Sequence, residues 1–224
     1  MYLRFSLAIA LVAILLAGCA HRKHARRTPP PPAPSATPQT GQPETGMASW
    51  YGHPYHGRRA ANGEIYDMEK LTAAHRTLPF DTWLRVVNLD NSKTVEVRIT
   101  DRGPFVEGRI IDLSHAAARA IDMIGPGIAR VRLEVIRTPE YVSPAVFAVQ
   151  VGAFRDRANA ERLRAEMESR YGSARLIQRA DTPDLWRVLA GSEATEEGAK
   201  GLAERIRKEL GEKSAAFVVR VDSM

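Results

Sequence analysis

A single cysteine, Cys19, rules out any disulfide within this 224-residue chain, so each folded part must rest on its own apolar core. Long apolar runs are also missing. The stretch from Leu7 to Ala17 falls short of the roughly 20 residues a spanning helix needs. The formal charge of +6 raises nucleic acid as a ligand, but Arg4, Arg22, Lys23, Arg26 and Arg27 all lie in or just after this leader. Charge is close to balanced in the rest of the chain. Metal-ligand spacing is lacking too: His53 and His56 in "GHPYHG" have no cysteine or carboxylate beside them at zinc spacing. Neither a metal nor another cofactor is expected.

What the chain does contain begins with Arg4, the apolar run and small residues before Cys19, the layout of a secretory signal peptide over residues 1–18. Leu16-Ala17-Gly18-Cys19 resembles the lipobox of bacterial lipoproteins, which implies acylation of Cys19 and a membrane anchor. Ala20 follows where inner-membrane lipoproteins usually carry aspartate, so the resemblance points to the periplasmic face of the outer membrane. Residues 28 to 46, "TPPPPAPSATPQTGQPETG", are rich in Pro, Ser, Thr and Gly and complete a semi-extended tether over residues 19–46.

At Met47 the pattern becomes β-like. "WLRVVNL", "TVEVRIT", "GRIID" and "ARVRLEVI" are short runs rich in β-branched residues between turn formers, and Ser114 caps one short helix through "HAAARAID". A mainly β domain over residues 47–137, a small barrel, is predicted. After a linker at 138–145, residues 146–224 read βαββαβ, with helices ending at Gly172 and Gly211. RNA-recognition modules share that order, but their aromatic and basic strand signatures are absent, so nucleic acid is not an expected partner.

Several side chains have chemistry worth weighing. Regular alternation through β-like "TVEVRITD" puts Val95, Val97, Ile99 and Asp101 on one face, so Asp101 ends a core-facing row, with Arg102 pointing away. Partial burial there suits a general acid, while a carboxylate capping the "DRGP" turn is the equally ready structural reading. Glu64 and Asp67 follow the tight turn at Asn62-Gly63 in "NGEIYD", which would place both at one rim; His75 lies among small residues in "TAAHRTLPF". Trp50, Tyr51 and Tyr55 are core residues or sugar-stacking faces. In the second domain Gln150, Gly152, Trp186 and Arg187 are candidates for a ligand-binding sheet, although alternation lets only one of Trp186 and Arg187 face the ligand.

The segments "ASWYG", "ANGEIYDM", "LTAAHRTLPF", "RITDRGPF" and "IDLS" together resemble the rare lipoprotein A family, septal-ring lytic transglycosylases related in fold to expansins. "FAVQVGAF" and "LWRVLAG" are similar to the sporulation-related (SPOR) repeat. The resemblance implies a six-stranded double-psi β-barrel followed by a smaller α+β SPOR domain. It implies cleavage of peptidoglycan glycan strands stripped of stem peptides, with 1,6-anhydro products, at the division septum. Asp101, Glu64, His75 and Asp67 become catalytic candidates, with Asp101 as proton donor. Trp50, Tyr51, Arg102, Gln150, Gly152, Trp186 and Arg187 become substrate contacts. A monomer is expected, with divisome proteins as candidate partners. One departure is Ala60, where members commonly carry Thr; it keeps open a non-catalytic, expansin-like wall-binding protein.

Overall fold

The computed structural model describes residues 43–142, 144–179, 182–211 and 214–222; the expected signal peptide, Cys19 and the tether up to residue 42 lie outside them. The first domain comprises β1 (Glu44–Tyr51), β2 (Thr72–Ala74), β3 (Trp83–Asn88), β4 (Thr94–Asp101), β5 (Arg109–Ser114), helix α1 (His115–Ala120) and β6 (Ile128–Arg137). They close into a six-stranded barrel in the order β1-β5-β2-β4-β3-β6, sealed by antiparallel pairing of β6 with β1. Two parallel pairs, β1 with β5 and β2 with β4, stand among the antiparallel ones. The strand begins at Glu44 rather than Met47, because Glu44, Thr45 and Gly46 pair with Leu133, Arg132 and Val131.

Period-two alternation fills the barrel. Leu84, Val86, Val97, Ile99, Ile111, Leu113 and Val131 are wholly buried, and Ile121 and Met123, just after α1, join them. The Ser114 hydroxyl accepts from the Ala117 amide at 3.2 Å to start α1, and it donates to the Lys70 carbonyl at 2.6 Å.

The second domain runs β7 (Ala145–Phe154), α2 (Arg157–Tyr171), β8 (Ala174–Arg179), β9 (Thr182–Glu193), α3 (Glu196–Leu210) and β10 (Phe217–Asp222). Its antiparallel sheet has the order β10-β7-β9-β8. Asp156 and Thr195 cap the helix starts, and Gly172, at φ 82°, ends α2 in the left-handed conformation that glycine adopts without strain. Both helices cover one sheet face, where Val149, Val151, Val188 and Ala190 meet Met167, Leu202 and Ile206. The opposite face carries Ala148, Leu189 and Val219, packed with Phe105 of the barrel.

The two domains are joined by polar as well as apolar contacts. The Arg220 amide donates to the Arg76 carbonyl at 3.0 Å, and the Arg76 guanidinium lies 5.7 Å from the Phe217 ring centre. Arg102 reaches Asp222 at 2.6 Å, with side-chain exposures of 8% and 21%.

Candidate functional site

The β4 strand does not keep the phase that its sequence suggests. Ala73 pairs with Ile99, but the next residue, Ala74, pairs with Asp101, so the ladder slips around Thr100. A one-residue slip moves everything beyond it to the other face. Asp101 therefore leaves the core-facing row of Val95, Val97 and Ile99. Ala74 also pairs with Asp112 of β5, whose neighbours Ile111 and Leu113 point into the core. The two carboxyls thus flank one small residue, two strand spacings apart, about 10 Å between Cα atoms.

Asp101 Oδ1 accepts from the Arg102 amide at 2.8 Å and the Ala61 amide at 3.1 Å, and its carbonyl accepts from the His75 amide at 3.1 Å. The turn-capping bonds are real, and they fix the carboxyl beside the loop that carries Ala61. Asp112 is held differently. The Ser49 hydroxyl donates to its Oδ1 at 2.6 Å, and an Arg109 nitrogen stands 3.3 Å away. Burial pushes its carboxyl above the ordinary value; the Ser49 bond and Arg109 charge pull the other way, and the Asp101 charge adds to the rise. A side chain on Gly103 would put its Cβ 3.6 Å from Asp112 Oδ2 and 3.7 Å from the Ala74 Cβ, so the loop after Asp101 passes close over the pair. Sequence reading assigned Asp112 no role. The available signal was an acid between two core residues of "IIDLS".

The other expected catalytic residues each have contacts of their own. Glu64 is bound by Arg98 through two hydrogen bonds of 2.8 and 2.7 Å, and Arg98 also reaches Asp81 at 2.6 Å. Those bonds hold the Glu64 carboxyl below its usual range, which suits a fixed anion rather than an acid. Asp67 Oδ1 accepts from the Glu69 amide at 3.0 Å, a local turn. His75 is 5% exposed; its Nδ1 accepts from the Thr77 and Leu78 amides at 3.2 and 3.1 Å, while Nε2 faces Glu44 at 3.3 Å. Nδ1 as acceptor puts the proton on Nε2. His75 thus organises the turn whose amide holds the Asp101 carbonyl.

Arg102 turns away from the carboxyl pair. Its guanidinium donates to the His75 and Leu78 carbonyls at 3.3 and 3.0 Å, binds Asp222, and lies 3.7 Å from the Phe80 ring centre. The guanidinium, with its side chain 8% exposed, is thus engaged at the domain joint. Trp50 packs against the barrel core and meets His115 edge-on at 5.4 Å. Tyr51 stacks on Tyr66 at 4.4 Å, and the Tyr66 hydroxyl donates to the Tyr51 carbonyl at 2.6 Å. Ala60 is buried, and its amide donates to the Glu64 carbonyl at 2.7 Å. Among the described residues no cluster of His, Cys, Asp and Glu forms a metal site.

In the second domain, Trp186 packs with the helix-side core, with the Arg157 guanidinium 4.8 Å from its ring centre. Gly152 makes room for packing: a Cβ there would stand 2.7 Å from Phe154 and 2.9 Å from Leu163. Gln150 and Arg187, 5% and 6% exposed, line the groove on the opposite face.

Known proteins match both domains. The family model described as a lytic transglycosylase matches residues 43–133, and the SPOR domain model matches 143–220. The endolytic peptidoglycan transglycosylase RlpA of Campylobacter jejuni is 38% identical over 205 residues, covering 80% of this chain and 73% of the relative. RlpA of Helicobacter pylori strain J99 is 37% identical over 74% of this chain, which spans 62% of that relative's length. RlpA of Vibrio cholerae is 53% identical over 46% of this chain and 40% of its own. A solved Clavibacter michiganensis expansin is remote, at 20% identity and a TM-score of 0.37 over 51% of this chain and 59% of its own. A barrel with two unlike carboxyls across one alanine, a second domain docked beside it, and relatives named for one activity lead to one assignment: this chain belongs to the RlpA family of endolytic peptidoglycan transglycosylases, which are lyases.

Proposed function

We propose that the chain cleaves the β-1,4 bond between N-acetylmuramic acid and N-acetylglucosamine in stem-peptide-free glycan strands and leaves 1,6-anhydro ends. The observation that carries this reading is the pair across Ala74: Asp112, half-buried with its carboxyl raised above the ordinary value, and Asp101, oriented by two amides. Unlike environments for two carboxyls are how a site divides acid and anion roles.

In the proposed reaction the Asp112 carboxyl gives its proton to the glycosidic oxygen as the bond to C1 breaks. Asp101 faces the positive charge that develops at C1. The muramyl C6 oxygen closes on C1, and its proton returns to Asp112. One C–O bond breaks, one forms within the same sugar, and no water is consumed. This reading moves the proton donor from Asp101, favoured on sequence grounds, to Asp112.

Location follows from the family and the second domain, both of which support a place in the cell envelope in contact with peptidoglycan. The finer reading is a lipid anchor at Cys19, the periplasmic face of the outer membrane, and enrichment at the septum, where stripped strands are made. Amidase-stripped strands incubated with the full chain and analysed by mass spectrometry test the chemistry. Anhydro-ended fragments are expected from the parent and none from Asp112→Asn. Reducing ends would instead mean hydrolysis, and intact but bound strands would mean a wall-binding, expansin-like protein.

A further inference from the structure

Beside the amides that hold Asp101 the barrel and the second domain enclose a groove of about 770 Å³, within the ~300–1,000 Å³ range of ligand sites. Its barrel wall includes Ala61 and Arg102, the two residues whose amides hold Asp101 Oδ1, so the groove runs up to the loop that fixes Asp101. Its other wall is the helix-free face of the second-domain sheet, with Gln150, Ile177, Arg187 and Leu189. Phe105 packs on Ala148, Leu189 and Val219 of that face, while the groove reaches Leu176, Ile177 and Gln178 of the edge strand β8.

The chemistry of the lining is that of a carbohydrate site. Gln150 is nearly buried and has no side-chain hydrogen bond among the described residues, an amide poised for an acetamido group or a hydroxyl. Tyr141, in the linker between the domains, lines the same groove and is 76% exposed, an aromatic face available to a sugar ring. Arg187 supplies a cation suited to a lactyl carboxylate, and Glu64 and Asp81 supply acceptors for hydroxyls on the barrel side.

We propose that the barrel and the second domain form one continuous subsite groove for a single glycan strand, so that the strand held on the sheet is the strand delivered to Asp101 and Asp112. This rests on the transglycosylase reading only for the identity of the ligand as an N-acetylated, lactyl-bearing glycan. The alternative is two independent sites on two strands. A shared groove makes the second contact intramolecular once the first has formed, so affinity rises with strand length until both walls are filled.

The test uses the full chain carrying Asp112→Asn, which keeps strands intact, so a lack of cleavage in the parent would sink the lyase reading without touching this one. Fluorescence anisotropy with end-labelled, stem-free strands should show Kd falling by ~10-fold or more from a single disaccharide to strands long enough to cross both walls. Adding Gln150→Leu or Arg187→Gln should cut that gain to about twofold or less. Hydrogen exchange on the Asp112→Asn protein, which needs no groove variant to fold, should show one bound long strand protecting both the Ala61–Glu64 loop and Ile177–Gln178. Protection on one wall only, or a length gain unchanged in both groove variants, would overturn the shared groove.

Discussion

At the residue scale the site turns on one contrast: Asp112 is half-buried between the Ser49 hydroxyl and the Arg109 guanidinium, and Asp101 is tied to backbone amides. Because burial raises the Asp112 value above its ordinary 3.8, the folded protein is fully stabilised with respect to this group below pH 3.8 and loses stability as pH climbs through the raised value. Asp112→Asn keeps an acceptor for Ser49 and removes the half-buried charge. Thermal unfolding followed from acid to neutral pH should show the variant gaining on the parent as pH rises, with no gain at or below pH 3.8. The same substitution should lower kcat by about 10²–10⁴-fold, and the parent's kcat should fall as pH rises through the raised Asp112 value. A variant whose stability gain does not depend on pH would show that the carboxyl is not strained by burial. None of this environment is legible from order along the chain, since Ser49 and Asp112 are 63 residues apart and meet only because β1 and β5 pair in parallel.

At the scale of elements, much of the fold was legible in the chain. The alternation of β3, β4, β5 and β6, the cap at Ser114 and the glycine stops of α2 and α3 all follow local rules that packing then respects. Two features escaped because they are not local. The three-residue strand β2 is too short to carry a period, and it exists because β4 and β5 offer it edges on both sides. The slip near Thr100 leaves no mark in an unbroken run of β formers, yet it decides which face Asp101 occupies. Where the local rule and the packing agree, substitutions have a definite cost. Ser114→Ala removes both the α1 cap and the bond to the Lys70 carbonyl, and should lower stability by about 1–2 kcal/mol in urea titrations. Gly152→Ala should cost about 1–3 kcal/mol, because its Cβ meets Phe154 and Leu163 in a packed core.

For the whole molecule, the question is what keeps the second domain seated against the barrel. The joint centres on Asp222, which receives Arg102 at 2.6 Å from the barrel and Arg220 at 2.6 Å from its own strand. Burial works to raise the Asp222 value, but the charge of Arg102 and the bonds from both arginines outweigh it and bring the carboxyl below its ordinary 3.8. A depressed acid contributes stability that is present above 3.8 and lost as pH falls through the folded value, the opposite sense to Asp112. The two carboxyls therefore give the molecule acid responses of opposite sign in two places: the site tightens while the joint loosens. Removing one partner of a fully buried pair costs about 3–5 kcal/mol, and this pair, with Asp222 21% exposed, should lose less. Asp222→Asn should therefore loosen the joint near neutral pH while both domain cores survive, and small-angle scattering should report a larger radius of gyration for the variant than for the parent. The parent should expand in the same way only in acid, below pH 3.8. Because Arg102 both binds Asp222 and offers its amide to Asp101, the variant should also lose activity on long strands as its joint opens. Equal radii for parent and variant at neutral pH would mean that the apolar contact of Phe105 with the sheet, rather than the ion pair, holds the domains together.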